Sequence, residues 1–563
     1  MILTPTSTTE AAPLTRTTAQ AMVDGLLAHG VDTVFGLPGV QTYPLFEALA
    51  EVGDRIRVVG ARHEQACGYM AFGYAQATGR LGVCCVVPGP GVLNASTALL
   101  TAQWTSTPVL CLTSEIPSTY LGRGLGHLHE MDDQQATLRS FTSWAGLALA
   151  PSQAPAMLDE AIAHACGGRP GVATLAAPWD VLPVSGPVPP PNPRTVAPPP
   201  LDEGLLARAA ELLAGASRPM ILVGGGARDT GSTVRSLAQL LGAPVVSFRG
   251  GRGIVSDADP LGFTCGEGFE LWPDTDVMLA LGSRQELAWF RWPDRPADLT
   301  TIAVDIDPHQ HVRTQPTLAI TADATQAATR LLDLLRQPGR GGPDEVTRQA
   351  RMTRMAEAKD RIRPGIVALQ PHVDYLRAIR DVLPDEGFLV EEITQVGFVS
   401  YLAFPVTRPR QFITAGCQGT LGFGFPTALG VKAAFPEAPV VSLAGDGGFL
   451  FGAMELATAV QYGLGVVVVL FDNAAYGNVK ADQQRIYGRP FGSDLVNPDF
   501  VAMARSFGAD GYESSGPEEL RTTLATALTR AQERRRPAVL HVTMPLDPSV
   551  TPWPFLMPAS RRG

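Results

Sequence analysis

A chain of 563 residues is longer than one hydrophobic core supports, so roughly three to four domains are expected. Hydrophobic residues at 45% and charged residues at 17% describe a globular protein with material for several cores. The net charge of −10, without a basic cluster, argues against nucleic acid as a partner. It also means that an anion has to be bound locally, by backbone amides or a metal.

The seven cysteines are odd in number and show no CxxC pair or Cys/His metal spacing, which points to buried thiols in a reducing compartment. The N-terminus, MILTPTSTTEAAPLTR, is polar and lacks an apolar signal core. No apolar run reaches the ~18–20 residues that a membrane span needs. A cytoplasmic protein with no membrane partner is the expectation.

In chain order, residues 1–15 read as a disordered N-terminus. A first block, 16–181, alternates strand runs at 33–35, 57–59, 82–87 and 109–113 with amphipathic helices at 64–78 and 95–104. Residues 182–200 (LPVSGPVPPPNPRTVAPPP) cannot form helix or a central strand and read as an extended linker. A second block, 201–336, has strands at 220–223, 245–247, 277–281 and 301–305. Residues 337–370 open with a Gly/Pro turn and continue as an exposed, charged helix. A third block, 371–547, has strands at 388–391, 440–444 and 466–471 and a helix at 454–462, and 548–563 form a C-terminal tail. Strands rich in Val, Ile and Leu without alternation are buried on both faces. The predicted fold is α/β: three consecutive Rossmann-like or flavodoxin-like domains with parallel sheets. No short internal repeat is visible in the sequence.

The sharpest motif follows the strand VVSLA: Gly445-Asp446-Gly447-Gly448, a helix, a second strand, then Asp472-Asn473-Ala474-Ala475-Tyr476-Gly477. Asp446 sits at a strand's carboxyl end, where open parallel sheets bind ligands. The glycines let backbone N–H groups approach a diphosphate. Mg²⁺ takes hard oxygen ligands, and Asp446, the Asn473 amide oxygen and the Ala475 carbonyl can supply three. A bare GDG is most often a tight turn. Here twenty-five residues separate it from Asn473 at the next strand end, and that spacing resembles the thiamine-diphosphate signature.

The resemblance extends along the chain. The segments VFGLPGVQTYPLFEAL, RHEQACGYMAFGYAQATGR, CVVPGPGVLNASTALLTAQWTSTPVL and PRQFITAGCQGTLGFGFPTALGVKAAFP resemble, in order and spacing, those of the acetolactate synthases. The resemblance covers about residues 16–545. It implies pyrimidine-binding, central and diphosphate-binding domains, with thiamine diphosphate and Mg²⁺ as cofactors. It further implies that Glu64 hydrogen-bonds the cofactor's pyrimidine ring and favours the imino form that removes the thiazolium C2 proton. Otherwise a carboxylate opening a helix is ordinarily a charge–dipole contact.

Gly89 and Asn94 fall in the matching pyrimidine-side segments. The Gly419 carbonyl would accept from the cofactor's 4′-amino group. Leu421 would hold the cofactor bent, although plain core packing explains it equally. Gln395, Tyr476 and Gly477 would join Gly445–Gly448 around the diphosphate. Two departures stand out: Asp472-Asn473 replaces the common Asn-Asn, and in GRGLGHLHEMDDQQ His129 takes the place of a Gln. His127 and His129 are the candidates for proton shuttling.

In this family one cofactor is reached from two subunits, so a homodimer is the minimum and a homotetramer is expected. FAD in the central domain is not expected, since GGRGIVSDADPLGFTCGEGFEL lacks the family's Met-x-Gly-x-His-Gly. The reaction implied is decarboxylation of a 2-oxo acid with transfer to an acceptor (a carboligase). Simple decarboxylation to an aldehyde is the alternative, and a flavin or nicotinamide oxidoreductase is an alternative of another class. A non-catalytic scaffold fits least, because Glu64, Asp446 and Asn473 are all present.

Overall fold

The computed structural model describes residues 14–193, 195–338 and 342–560. The chain divides into two compact units, Met1–Ala75 with Arg80–Val196, and Ala197–Gly563 with Gln76–Gly79.

The first unit contains a two-stranded antiparallel ribbon, β1 (Leu14–Thr17) on β8 (Ser185–Val188). Its main sheet holds β2 (Thr33–Gly36), β3 (Arg57–Gly60), β4 (Gly82–Cys85), β5 (Val109–Glu115), β6 (Trp144–Leu147) and β7 (Val172–Pro178). These six are all parallel and run in the order β3-β2-β4-β5-β7-β6. β5 and β7 are buried at every position, and apolar residues predominate in both, with Thr113, Ser114 and Glu115 at the carboxyl end of β5.

The second unit carries two further parallel six-stranded sheets. One is β11-β10-β9-β12-β13-β14, from β9 (Pro219–Val223), β10 (Val245–Ser247), β11 (Gly262–Phe263), β12 (Val277–Leu281), β13 (Thr300–Asp305) and β14 (Leu318–Thr321). The other is β16-β15-β17-β18-β20-β19, from β15 (Phe388–Glu391), β16 (Phe412–Thr414), β17 (Val440–Gly445), β18 (Val467–Asp472), β19 (Asp510–Ser514) and β20 (Ala538–Thr543). The fold is therefore α/β with three parallel sheets flanked by helices. The middle sheet has the doubly wound dinucleotide-fold order, whereas the first and third share one order, with strand order reversing beside their first strands. No short internal repeat in the sequence accompanies that shared topology.

Several expectations need correction. Leu14 and Thr15 belong to strand β1, while residues 1–13 of the expected disordered N-terminus lie outside the described residues. The Pro-rich stretch at 182–200 contributes β8, a short edge strand that tolerates its proline. The charged helix, Glu345–Val367, is not wholly exposed: Met355, Ala358, Ile362 and Ile366 are buried in the core. The tail holds a short helix, Trp553–Leu556, with Leu556 buried and its carbonyl accepting from Arg291. Five cysteines are buried as expected, but Cys166 and Cys417 are exposed.

Candidate cofactor site

In the first unit Glu64 and Asn94 meet because two helices approach closely. Helix Glu64–Thr78 follows β3 and helix Pro90–Trp104 follows β4. A Cβ added at Gly68 would lie 2.7 Å from the Ala98 Cβ, so only glycine permits this approach. One turn earlier on each helix, the approach brings Glu64 and Asn94 together. Asn94 Nδ2 donates to Glu64 Oε2 at 3.0 Å. The other carboxylate oxygen stands 3.6 Å from the position of a Gly91 Cβ, with no side chain there to cover it.

Gly89 precedes the second helix with φ +59°, a left-handed conformation, and a Cβ there would sit 2.5 Å from the His129 carbonyl oxygen. Gln134, which the sequence reading passed over, is 2% exposed and joins this corner. Its Oε1 accepts from the Gly89 N–H at 2.8 Å and its Nε2 donates to the Ser114 carbonyl at 2.9 Å.

The loop after β5 separates the two histidines. His129 has φ +65°, and its Nδ1 is buried without a partner. Burial pushes the imidazole below its ordinary range, while the nearby Glu64 carboxylate opposes that shift. His127 instead stacks on Tyr120, ring centroids 5.1 Å apart. Glu130 folds back on its own loop, accepting from His127 N at 2.7 Å and Gly124 N at 3.1 Å. Geometry thus brings Glu64, Asn94, Gly89 and His129 together and leaves His127 aside.

In the second unit, an open cavity is lined by Gln395, Leu421, Gly445, Asp446, Gly447, Gly448, Asn473, Ala475, Tyr476 and Gly477. These lie where the strand order reverses, at the carboxyl ends of β15, β17 and β18. Gly419 is not among the lining residues, but it stands two positions before Leu421 with φ +56°. Ile393, Thr394, Phe471, Asn478, Val479 and Met544 complete the wall.

The metal-side groups are tightly arranged. Asp446 is 3% exposed, and burial raises its carboxyl above the ordinary carboxylate range. Its Oδ2 accepts from Ala475 N at 3.2 Å and Asn497 Nδ2 at 2.8 Å. Asn497 Nδ2 also donates to Asp472 Oδ1 at 2.8 Å, and Asp472 Oδ2 lies 2.9 Å from His541 Nε2. Asp472, opposed by burial but held by His541 and other donors, is kept below the usual carboxylate range. The amide oxygens of Asn473 and Asn497 are buried without partners. Two orphaned oxygens beside a buried carboxylate fit a hard divalent cation, which would satisfy them and offset the buried charge. Among the described residues no cluster of three or more His, Cys, Asp or Glu has metal-holding geometry, and a one-carboxylate site does not need one. Asn497 was not legible beforehand: an Asn before Pro in a loop is ordinary turn chemistry.

In the central sheet, the glycine turn after β9 is used for chain packing. A Cβ on Gly224 would lie 2.4 Å from the Gly282 carbonyl oxygen.

Three family models match the chain: the N-terminal TPP binding domain of thiamine pyrophosphate enzymes over residues 16–137, their central domain over 206–331, and their C-terminal TPP binding domain over 392–542. The chain belongs to the thiamine pyrophosphate enzymes. A probable 2-ketoarginine decarboxylase of Pseudomonas aeruginosa is 37% identical, over 91% of each chain. An acetolactate synthase large subunit of Parasynechococcus marenigrum is 33% identical, over 92% of this chain and 86% of its own. The large subunit of acetolactate synthase isozyme 3 of Escherichia coli is 31% identical, over 92% of this chain and 93% of its own. The protein is thus a thiamine-diphosphate enzyme of the acetolactate synthase and 2-oxo acid decarboxylase type, and the oxidoreductase alternative gives way. Among the described residues no helix is long and apolar enough to cross a membrane.

Proposed function

We propose that the protein decarboxylates a 2-oxo acid with thiamine diphosphate and Mg²⁺, releasing an aldehyde. The observation carrying this reading is the cavity where the buried Asp446 carboxyl, the orphaned Asn473 oxygen and the glycine turn Gly445–Gly448 converge. When bound, thiamine diphosphate supplies a nucleophilic carbon and an electron sink for cleavage beside a carbonyl. Asp446, Asn473 Oδ1 and the Ala475 carbonyl would hold Mg²⁺, with Asn497 fixing the Asp446 carboxylate. The turn amides, Gln395, Tyr476 and Gly477 would surround the diphosphate, and Leu421 would support the cofactor's bend.

Asn94 occupies one Glu64 oxygen and leaves the other for the pyrimidine ring. His129, whose imidazole burial pushes below its ordinary range, presents an unpartnered Nδ1 at which a proton can be taken up. A proton-exchanging group at that point supports aldehyde release, as does the likeness to a probable 2-ketoarginine decarboxylase. The second reading is transfer to an acceptor as a carboligase, favoured by end-to-end similarity to acetolactate synthase large subunits. Product analysis after turnover of 2-oxo acids, one with a guanidinium side chain among them, separates the two. Aldehyde as the main product is expected; a ketol formed in equal or greater amount overturns release in favour of ligation. A homodimer is the proposed minimum active unit.

A further inference from the structure

β15 ends at Glu391, and the next residue, Glu392, is 1% exposed and directly precedes Ile393 in the cavity wall. Its Oε1 accepts the Gly422 N–H at 2.6 Å, and the N–H groups of Phe423 and Gly424 also bear on the carboxyl. Those amides begin helix Gly424–Ala434, just after Gly422 turns the chain with φ +75°. On the other side the carboxyl presses against the diphosphate turn: a Cβ on Gly448 would lie 2.8 Å from Glu392 Oε1 and 3.3 Å from Oε2. Oε2 is buried and has no hydrogen-bond partner.

A helix cap alone needs only the amides. Glu392 in addition fills the space between two segments that line one cavity, the strand of chain through Leu421 and the turn Gly445–Gly448. Burial pushes its carboxyl up to about 7, so the group is available in its neutral form beside a diphosphate.

We propose that Glu392 is a positioning residue for the cofactor: it locks the Gly422 turn and thereby sets Leu421 and Gly419 against the diphosphate turn. The inference rests on the reading of this cavity as the thiamine-diphosphate site. Glu392→Gln keeps an oxygen acceptor of the same reach, whereas Glu392→Asp withdraws it by one methylene while leaving an acid.

The test is titration of full-length protein with thiamine diphosphate at saturating Mg²⁺, followed by intrinsic fluorescence, with melting temperatures of the cofactor-free variants. KM for the 2-oxo acid is measured at saturating cofactor. Glu392→Asp is expected to weaken cofactor binding about tenfold, as loss of one buried hydrogen bond would. Its KM for the 2-oxo acid should stay within about threefold of wild type, and Glu392→Gln should restore cofactor affinity to within about threefold. Wild-type affinity in Glu392→Asp, or equal weakening in both variants, overturns the proposal. So does a lowered melting temperature with cofactor affinity unchanged. Asp446→Ala is the control on the site itself: if it binds Mg-thiamine diphosphate like wild type, the cavity reading fails, whatever Glu392 does.

Discussion

Asn497 makes two hydrogen bonds of 2.8 Å with one amide nitrogen, to Asp446 and to Asp472. Two carboxylates so close repel each other, and a shared donor is what holds them in one arrangement. Groups that orient metal ligands typically change affinity 10–100-fold when removed. Asn497→Ala is therefore expected to raise the Mg²⁺ concentration for half-maximal cofactor binding by at least about tenfold, measured by Mg²⁺ titration. An unchanged midpoint would remove Asn497 from the metal site. At this scale the sequence was informative where chemistry and position coincide. Asp446 is a carboxylate among glycines at a strand end, and Asn473 follows the next strand. Asn497, fifty-one residues beyond Asp446, arrives by tertiary folding from an ordinary-looking loop. The sequence offered both histidines of the loop after β5 as proton shuttles, and the structure brings His129 near Glu64.

Among the elements, the loop carrying His129 depends on Gly89. A side chain there meets both a left-handed backbone and the His129 carbonyl at 2.5 Å. Gly89→Ala is expected to cost roughly 1–3 kcal/mol of stability. It should lower kcat more than it raises KM for the cofactor; denaturation and steady-state kinetics check both. Strands built from runs of buried apolar residues, such as β12 and the first five positions of β18, were legible from composition. β6, half-buried at all four positions, and β19, with mixed burial, lack that signature. β1 and β8 stabilise each other across more than 160 residues, so neither local stretch announces a strand. The shared strand order of the first and third sheets lies in topology, which divergent sequences do not display.

For the whole molecule, the buried Glu391 gives stability a direction with pH. Burial lifts its carboxyl to about 8 from the ordinary 4.5, despite the Tyr401 hydroxyl donating at 3.0 Å. Between those values the native state holds a proton that the unfolded chain has lost. Stability is thus full below the unfolded value and declines as pH rises through the native one, with Glu392 adding to the slope up to about 7. Melting temperature should fall from pH 5 to pH 8, and Glu391→Gln should flatten that fall; an identical slope would contradict it. The proposed homodimer has its own test. If each site takes Glu64 from one subunit and Asp446 from the other, mixing inactive Glu64→Gln and Asp446→Ala chains restores one intact site per mixed dimer. Sites built within single subunits would stay inactive.

The central claim is thiamine-diphosphate-dependent decarboxylation that uses Glu64. Its most direct test is CO₂ release from a panel of 2-oxo acids with thiamine diphosphate and Mg²⁺, comparing wild type with Glu64→Gln. Cofactor-dependent release by the wild type is expected, with a loss of about 10²-fold or more in the variant while cofactor stays bound. Release that Glu64→Gln leaves intact, or no release from any acid with cofactor bound, would contradict it.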